Sequence, residues 1–447
     1  MFGSQPILGN EQNIEKEKKV RCTTRCTTGC KKRTCKVHGE KCSQVCGCIN
    51  CKNNGVEEDI EFLKNWNFET DLPSKEISAI DGKAKEIPSN IATPLQVFLF
   101  MTKEVIVHLI EDTQQKYFIS FKEDHIYRFI LCILAMGLSP KPEIHLHWSN
   151  NTLYENRYIK KILSRDNFYF LLKYIHYQID KVLEIMNNKF IKHWSPGTYV
   201  AVDESLIHFK GRYAYRQHIP NKPAGTGIKL YGIADNSGFL FSVFIYQGPK
   251  HGEETKPFQI VKNFSLKLPK DKEYIVFADS YYGSFILAEE LHKLKFNYVL
   301  CCKSDRPSSL FSKKLHCGLK KNAFNYGVWN KEIIAISYWD NSKCNFISNC
   351  FGAGKKEKPE AVISYNKYKG GIDIADSYWA RYLVNFRNYK WTQASFFALF
   401  KIIIVNSMLI YNNISGENKI SQRKYLEEIL FSYKLEESMS LFPNKKN

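Results

Sequence analysis

Two stretches, TYVAVDES at 198–205 and EYIVFADS at 273–280, decide the fold of this chain. Each is a short run of β-forming residues that closes on an aspartate, Asp203 in the first and Asp279 in the second. Around them GIKLYGIAD (227–235), GFLFSVFIYQ (238–247) and NYVLCC (297–302) read as further strands, and SFILAEELHKLKF (284–296) as an amphipathic helix. Strands interleaved with helices in this way predict an α/β sheet.

Working outward, TPLQVFLFMTKEVIVHLIEDTQQ (93–115), DHIYRFILCILAMGL (124–138) and SRDNFYFLLKYIHYQ (164–178) carry apolar residues at helical spacing, with Ser164 placed to cap the last. A helical domain is therefore expected over 94–195 and the first part of the sheet core over 196–303. The Lys-, Ser- and Asn-rich residues 304–360 read as an insertion, 361–414 as the last part of the core and 415–447 as a polar tail. Residues 56–93 hold Glu57, Glu58, Asp59, Glu61, Glu69, Asp71, Glu76 and Asp81 and read as an acidic linker behind a cysteine-rich module at 1–55. The apolar run 394–411 is long enough to suggest a membrane helix, but Lys401 near its centre, with Asn406 and Ser407 after it, favours a buried core helix and no membrane.

A residue at the carboxyl end of a sheet strand projects toward the edge where ligands bind. Asp203 and Asp279 are expected there, and Asp373 follows Gly370, Gly371 and Ile372 at the start of a helix, with Asp376 three residues on and on the same helix face. Carboxylates converging on one point repel each other unless cations neutralise them, and hard oxygen ligands suit Mg²⁺ or Mn²⁺. An aspartate in such a place also serves as a turn or cap residue, so spacing alone leaves both roles open.

Three blocks resemble the piggyBac-type transposases. VDESLIHFKGRYAYRQHIPNKPAGTGIKLYGIADNSGFL (202–240) is similar to their first catalytic block, FADSYYGSFILAEEL (277–291) to the second and YNKYKGGIDIADSY (365–378) to the third. The resemblance implies an RNase H-like catalytic core with an insertion, a triad of Asp203, Asp279 and Asp373, and Asp376 as a further metal ligand. It also implies two Mg²⁺ or Mn²⁺ ions, about 3.5–4 Å apart, clamping the attacking and leaving oxygens during DNA cleavage and strand transfer. Cut-and-paste transposition at TTAA targets, double-stranded DNA as partner, a homodimer when engaged and a nuclear location follow from the same resemblance. A domesticated, non-catalytic DNA-binding descendant is the alternative.

The formal charge of +19 points to a polyanionic partner. Between Ser205 and Ala234 the charged residues are all basic: Lys210, Arg212, Arg216, Lys222 and Lys229, interleaved with Tyr213 and Tyr215 for base stacking. Arg381, Arg387 and Lys390 form a second group beside Trp391. Eight cysteines, Cys22, Cys26, Cys30, Cys35, Cys42, Cys46, Cys48 and Cys51, lie in one short segment, where no secretory signal is expected ahead of them. They would fill about two four-coordinate Zn²⁺ sites. CKKRTC (30–35) and CSQVCGCINCKNN (42–54) resemble parts of the tesmin-type CXC domain, without its middle C-x-C pair. PiggyBac transposases usually carry a zinc-binding cysteine-rich domain at the C-terminus, and no cysteine follows Cys350, so DNA-end recognition is expected either from the N-terminal segment or to be lost.

Overall fold

The structure, a computed structural model, describes residues 65–219, 225–248, 256–303, 310–354, 357–382 and 390–434. The cysteine segment, Lys222 and Arg387 lie outside the described residues.

The helical part comes first. Helix α1 (Pro94–Tyr117) starts at Thr93, whose hydroxyl accepts the Gln96 N–H at 3.3 Å while the Gln96 side chain accepts the Thr93 N–H at 3.0 Å. Helices α2 (Glu123–Leu138), α3 (Arg157–Ile162), α4 (Arg165–Tyr174) and α5 (Ile179–His193) follow. Ser164 caps α4 through the Asn167 N–H, as its position in the sequence predicts.

The sheet strands are β1 (Trp66–Asn67), β4 (Tyr199–His208), β5 (Gln217–His218), β6 (Thr226–Asp235), β7 (Leu240–Ile245), β8 (Ile275–Gly283), β9 (Asn297–Cys302), β10 (Phe324–Trp329), β11 (Ile333–Trp339) and β12 (Lys343–Ser348). A separate pair joins β2 (Lys83–Ala84) to β3 (Trp194–Ser195). The ten-stranded sheet runs β1-β10-β11-β12-β9-β8-β4-β6, with β5 and β7 both paired to β6. β4, β8 and β9 are parallel and the remaining pairings antiparallel. The fold is thus mixed α/β around one large mixed sheet. Helices α6 (Pro257–Ser265) and α7 (Phe285–Lys293) flank β8, and α8 (Glu360–Tyr368) and α9 (Gly371–Ala380) lead to α10 (Trp391–Ile414) and α11 (Gln422–Ser432).

Helix α10 passes a length-and-hydropathy test for a membrane span, yet most of it is buried inside the fold. Its Asn406 shows why a polar residue sits there. The buried amide donates to the Leu240 carbonyl at 2.9 Å and accepts the Leu240 N–H at 3.2 Å, so it satisfies the free edge of β7. Asn187 of α5 does the same for Val243, at 2.9 Å in both directions. Asp235, where β6 ends, is fully buried and accepts from the Trp194 indole at 2.8 Å, the Gly197 N–H at 3.1 Å and the Ser237 N–H at 3.0 Å. It is a turn-forming carboxylate.

Two expected boundaries are corrected. Residues 65–92 belong to the fold rather than to a linker: Trp66 is buried, β1 extends the sheet beside β10, and the Asp71 carboxylate accepts the Ala353 and Gly354 N–H groups at 2.9 and 2.8 Å. Residues 415–434, read as a polar tail with one short amphipathic stretch, pack on the fold through that stretch. Ser421 caps α11, which buries Tyr425, Leu426 and Ile429 against α1 and α2.

Candidate active site

Alternation along the strands sorts their side chains between the two sheet faces. Ala201, Ile275 and Phe277 pack in one core layer with Ala361, Val362 and Tyr365 of α8. Asp203 and Asp279 continue that same face, two residues beyond Ala201 and Phe277. The parallel β4–β8 ladder pairs Ala201 with Phe277 and Val202 with Ala278, so the two aspartates emerge at one level from adjacent strands. The ladder ends one residue before them, so both leave the last paired residues toward the same face. Asp203 Oδ1 accepts the Glu204 N–H at 2.7 Å, and Asp279 Oδ1 the Tyr281 N–H at 2.9 Å. Burial pushes the Asp279 carboxyl above its ordinary range, against the opposing pull of the Tyr281 N–H.

Helix α9 lies over the same face. Its Asp376 accepts the Ser205 hydroxyl at 2.6 Å, and Ser205 is two residues beyond Asp203 on β4. Ile372 faces Gly232, the residue paired with Asp203, where an added Cβ would meet the Ile372 Cδ1 at 3.2 Å. At Gly371 a Cβ would stand 2.7 Å from the Asp235 carbonyl oxygen. The second glycine of the Gly370-Gly371 pair therefore lets the helix start tightly against the end of β6. Asp373, in the first turn of α9, is exposed.

Asp203 and Asp279 are thus at one level on adjacent strands, Asp376 is tied to the nearby Ser205, and Asp373 stands one helical turn before Asp376. Among the described residues no three His, Cys, Asp or Glu side chains are close enough to hold one ion as they stand. The donor set is nevertheless all oxygen, and one of the two strand carboxylates already bears a desolvation cost. That chemistry fits Mg²⁺ or Mn²⁺. Two neighbours of this site carry no assignment from the sequence. Ser205 could have been found from its i+2 spacing to Asp203. The buried Tyr365 phenol, raised well above its ordinary range by burial and by Cys301, Asp279 and Asp203, lies within the third block but has no local signal for its role.

The basic residues separate into two kinds. Lys210, Arg212 and Arg216 are exposed on the segment between β4 and β5. Arg216 Nη1 also donates to the Lys210 and Gly211 carbonyls at 2.8 and 2.9 Å, closing that turn. Tyr213 stacks on Trp391 with ring centroids 4.8 Å apart, and its hydroxyl donates to the Tyr246 carbonyl at 2.8 Å. This contact joins the segment to the start of α10, next to exposed Lys390. It also commits one face of Tyr213 to the fold, not to a base. Arg381 is exposed at the end of α9. Lys229 departs from the expectation of a phosphate contact. It is 7% exposed, with its ammonium 3.8 Å from Glu204 Oε2 and over the Tyr231 and Tyr281 rings at 4.7 and 4.4 Å. Strand alternation turns it to the face opposite Asp203.

Asp203 and Asp279 thus lie within adjacent parallel strands, and the helix bearing Asp373 and Asp376 packs over the same face. The chain belongs to the Transposase IS4 family, whose model matches residues 93–408. Within that family the chain is similar to piggyBac-type proteins. It is 23% identical over 326 residues to the human PiggyBac transposable element-derived protein 3, covering 63% of this chain and 54% of that protein. The human Chimeric ERCC6-PGBD3 protein is also 23% identical, over 63% of this chain and 30% of its own length. The chain thus spans about half or less of the curated relatives it matches. Among solved structures it is similar to a piggyBac transposase in a cryo-EM synaptic complex with hairpin DNA, with a TM-score of 0.69, 22% identity and coverage of 79% and 82% of the two chains.

Proposed function

We propose that this protein is a DNA transposase that cuts and rejoins DNA strands with Asp203, Asp279 and Asp373, assisted by Asp376, holding divalent cations. The observation that carries the reading is the placement of Asp203 and Asp279 at one level on adjacent parallel strands, beneath the helix that bears the other two aspartates. The strand order β7-β6-β4-β8-β9, with β4, β8 and β9 parallel, supports an RNase H-like core. Transposases of the piggyBac kind generally use divalent ions. Mg²⁺ or Mn²⁺ would supply charge neutralisation at the attacking and leaving oxygens. The protein's own part is to hold the carboxylates in register. The backbone N–H groups of Glu204 and Tyr281 orient Asp203 and Asp279, and Ser205 orients Asp376.

Double-stranded DNA is the proposed partner, gripped by Lys210, Arg212 and Arg216 and flanked by Lys390 and Arg381. Phosphate contacts of this kind position DNA without reading its sequence. Recognition of transposon ends is assigned to the cysteine segment, with Cys22 to Cys51 binding about two Zn²⁺ ions. A TTAA target, a homodimer on DNA and a nuclear location belong to the same reading.

A second reading, a DNA-binding protein that keeps the fold without cutting, is favoured by one observation: Asp373 is exposed and Asp376 already has a hydroxyl partner, so the four carboxylates do not converge as they stand. Single-turnover cleavage of a duplex with Mg²⁺ or Mn²⁺ separates the two. The transposase reading expects cleavage by the native chain and none by Asp203→Ala, Asp279→Ala or Asp373→Ala, with DNA binding retained in all three. Cleavage that persists in these variants overturns the assignment, and no cleavage by the native chain at any divalent ion favours the second reading.

A further inference from the structure

The sheet face opposite Asp203 and Asp279 carries a polar cluster that the chemistry above does not use. The β4–β8 ladder ends at Val202 and Ala278, one residue before the two aspartates, and the β8–β9 register shifts between Ala278 and Gly283. Asp203 and Asp279 therefore lie inside their strands, just past the point where the regular backbone pairing of β4 with β8 has stopped. Across that gap the Tyr282 hydroxyl donates to Glu204 Oε2 at 2.8 Å. Tyr282 is 1% exposed, and the Glu204 side chain retains 12% exposure. Lys229, from β6, sets its ammonium 3.8 Å from the same Glu204 oxygen and against the Tyr281 ring.

These residues are joined to the aspartates through the backbone. The Glu204 N–H bonds Asp203, and the Tyr281 N–H bonds Asp279, the Tyr282 N–H adding to it. Each aspartate is thus oriented by the amide of a residue whose side chain belongs to the cluster on the far face. Resting on the reading that Asp203 and Asp279 hold divalent ions, we infer that Glu204, Tyr282 and Lys229 are positioning residues: a strut that fixes the separation of the two carboxylates, and so the affinity of the site for its metal. Lys229 balances the Glu204 charge, which otherwise adds to the repulsion on Asp279.

The test uses the full chain and Mn²⁺, with free ion followed by electron paramagnetic resonance and thermal unfolding recorded in parallel. Tyr282→Phe removes one hydroxyl and keeps the ring. It and Glu204→Ala are expected to weaken Mn²⁺ binding by roughly 10–100-fold, the range typical when an outer partner of a metal ligand is lost. Glu204→Gln, which still accepts the phenol proton, is expected to recover most of that loss. Should Tyr282→Phe fold poorly, the Glu204→Ala and Glu204→Gln comparison carries the test alone. Asp279→Asn serves as the reference for the site itself. Native Mn²⁺ affinity in both Tyr282→Phe and Glu204→Ala, with binding abolished in Asp279→Asn, overturns the strut and leaves the site standing. Native affinity in Asp279→Asn overturns the metal reading and the strut with it.

Discussion

Salt dependence of binding to the proposed DNA partner should distinguish the exposed basic residues from the buried one. Lys210 and Arg212 project into solvent and make no ion pair among those described, whereas Lys229 is 7% exposed and already beside Glu204. Each phosphate neutralised on B-DNA contributes about 0.9 to the slope of log affinity against log salt. Replacing Lys210 and Arg212 together with alanine should therefore flatten the slope by about 1.8 for duplexes of any sequence. Between 50 and 200 mM salt the native chain should then lose roughly twelvefold more affinity than the double variant. Lys229→Met should leave the slope unchanged, since its charge faces a carboxylate. Arg216→Ala should do more than remove one contact, because its guanidinium closes the turn that presents the other two. Fluorescence anisotropy with a labelled duplex across a salt series reads all four. An unchanged slope in the Lys210 and Arg212 double variant, or an equal drop in Lys229→Met, would refute this division of the basic residues.

Three further outcomes follow from the same structure. Asn406→Ala leaves the buried Leu240 N–H and carbonyl without partners and should cost roughly 2–6 kcal/mol at about 1–3 per unsatisfied group, read by urea unfolding; a loss below about 0.5 kcal/mol would contradict the edge-strand role. Burial raises the Asp279 carboxyl above its ordinary 3.8, so the stability this group contributes is fully present below 3.8 and is lost as pH rises through the raised value. Divalent ions bind the charged form, and at a hundred times their Kd they should add about 2.7 kcal/mol, a gain that shrinks as pH falls through the raised Asp279 value and is missing in Asp279→Asn. A metal-induced rise in Tm that is equal in Asp279→Asn and the native chain would exclude this carboxylate as a ligand. For the cysteine segment, elemental analysis of the full chain should find about two Zn²⁺ held by Cys22 to Cys51, as two four-ligand sites require. Deleting residues 1–55 should remove that zinc and the preference for particular DNA ends, while residues from Trp66 onward, which are part of the sheet, must be kept. Zinc-free protein, or undiminished end preference after the deletion, would contradict the assignment.

Much of the sheet was legible because its strands are locally encoded. The strand to Asp235 and the strand NYVLCC appear where β-forming residues predict them, and Ser164 announces its helix; the runs expected to close on Asp203 and Asp279 continue instead to His208 and Gly283, so the two aspartates lie within their strands. The placement of α10 in the core was also readable, although the reason for Asn406 was not, since its partner Leu240 is 166 residues away. Residues 65–92 escaped detection because β1 and β2 are two residues each and pair with strands far along the chain, near Trp329 and Ser195. Acidic composition described their surface and said nothing of Trp66 or Asp71. Lys229 was misread for a related cause. A run of basic residues does not reveal which sheet face each one takes, and only the pairing of Leu206 with Lys229 puts its side chain beside Glu204. Asp373 was placed correctly at a helix start, but its distance from the other aspartates depends on how closely α9 settles on Gly232, which no local pattern encodes.

The central claim, that Asp203, Asp279 and Asp373 share bound divalent ions, is tested most directly by letting the ion cut the chain that holds it. With Fe²⁺ in place of Mg²⁺ and ascorbate with peroxide as the radical source, backbone scission should concentrate within a few residues of positions 203, 279 and 373 when DNA is bound, and vanish in Asp279→Ala. Scission clustered elsewhere, or cuts near 203 and 279 that never extend to 373, would contradict the shared site.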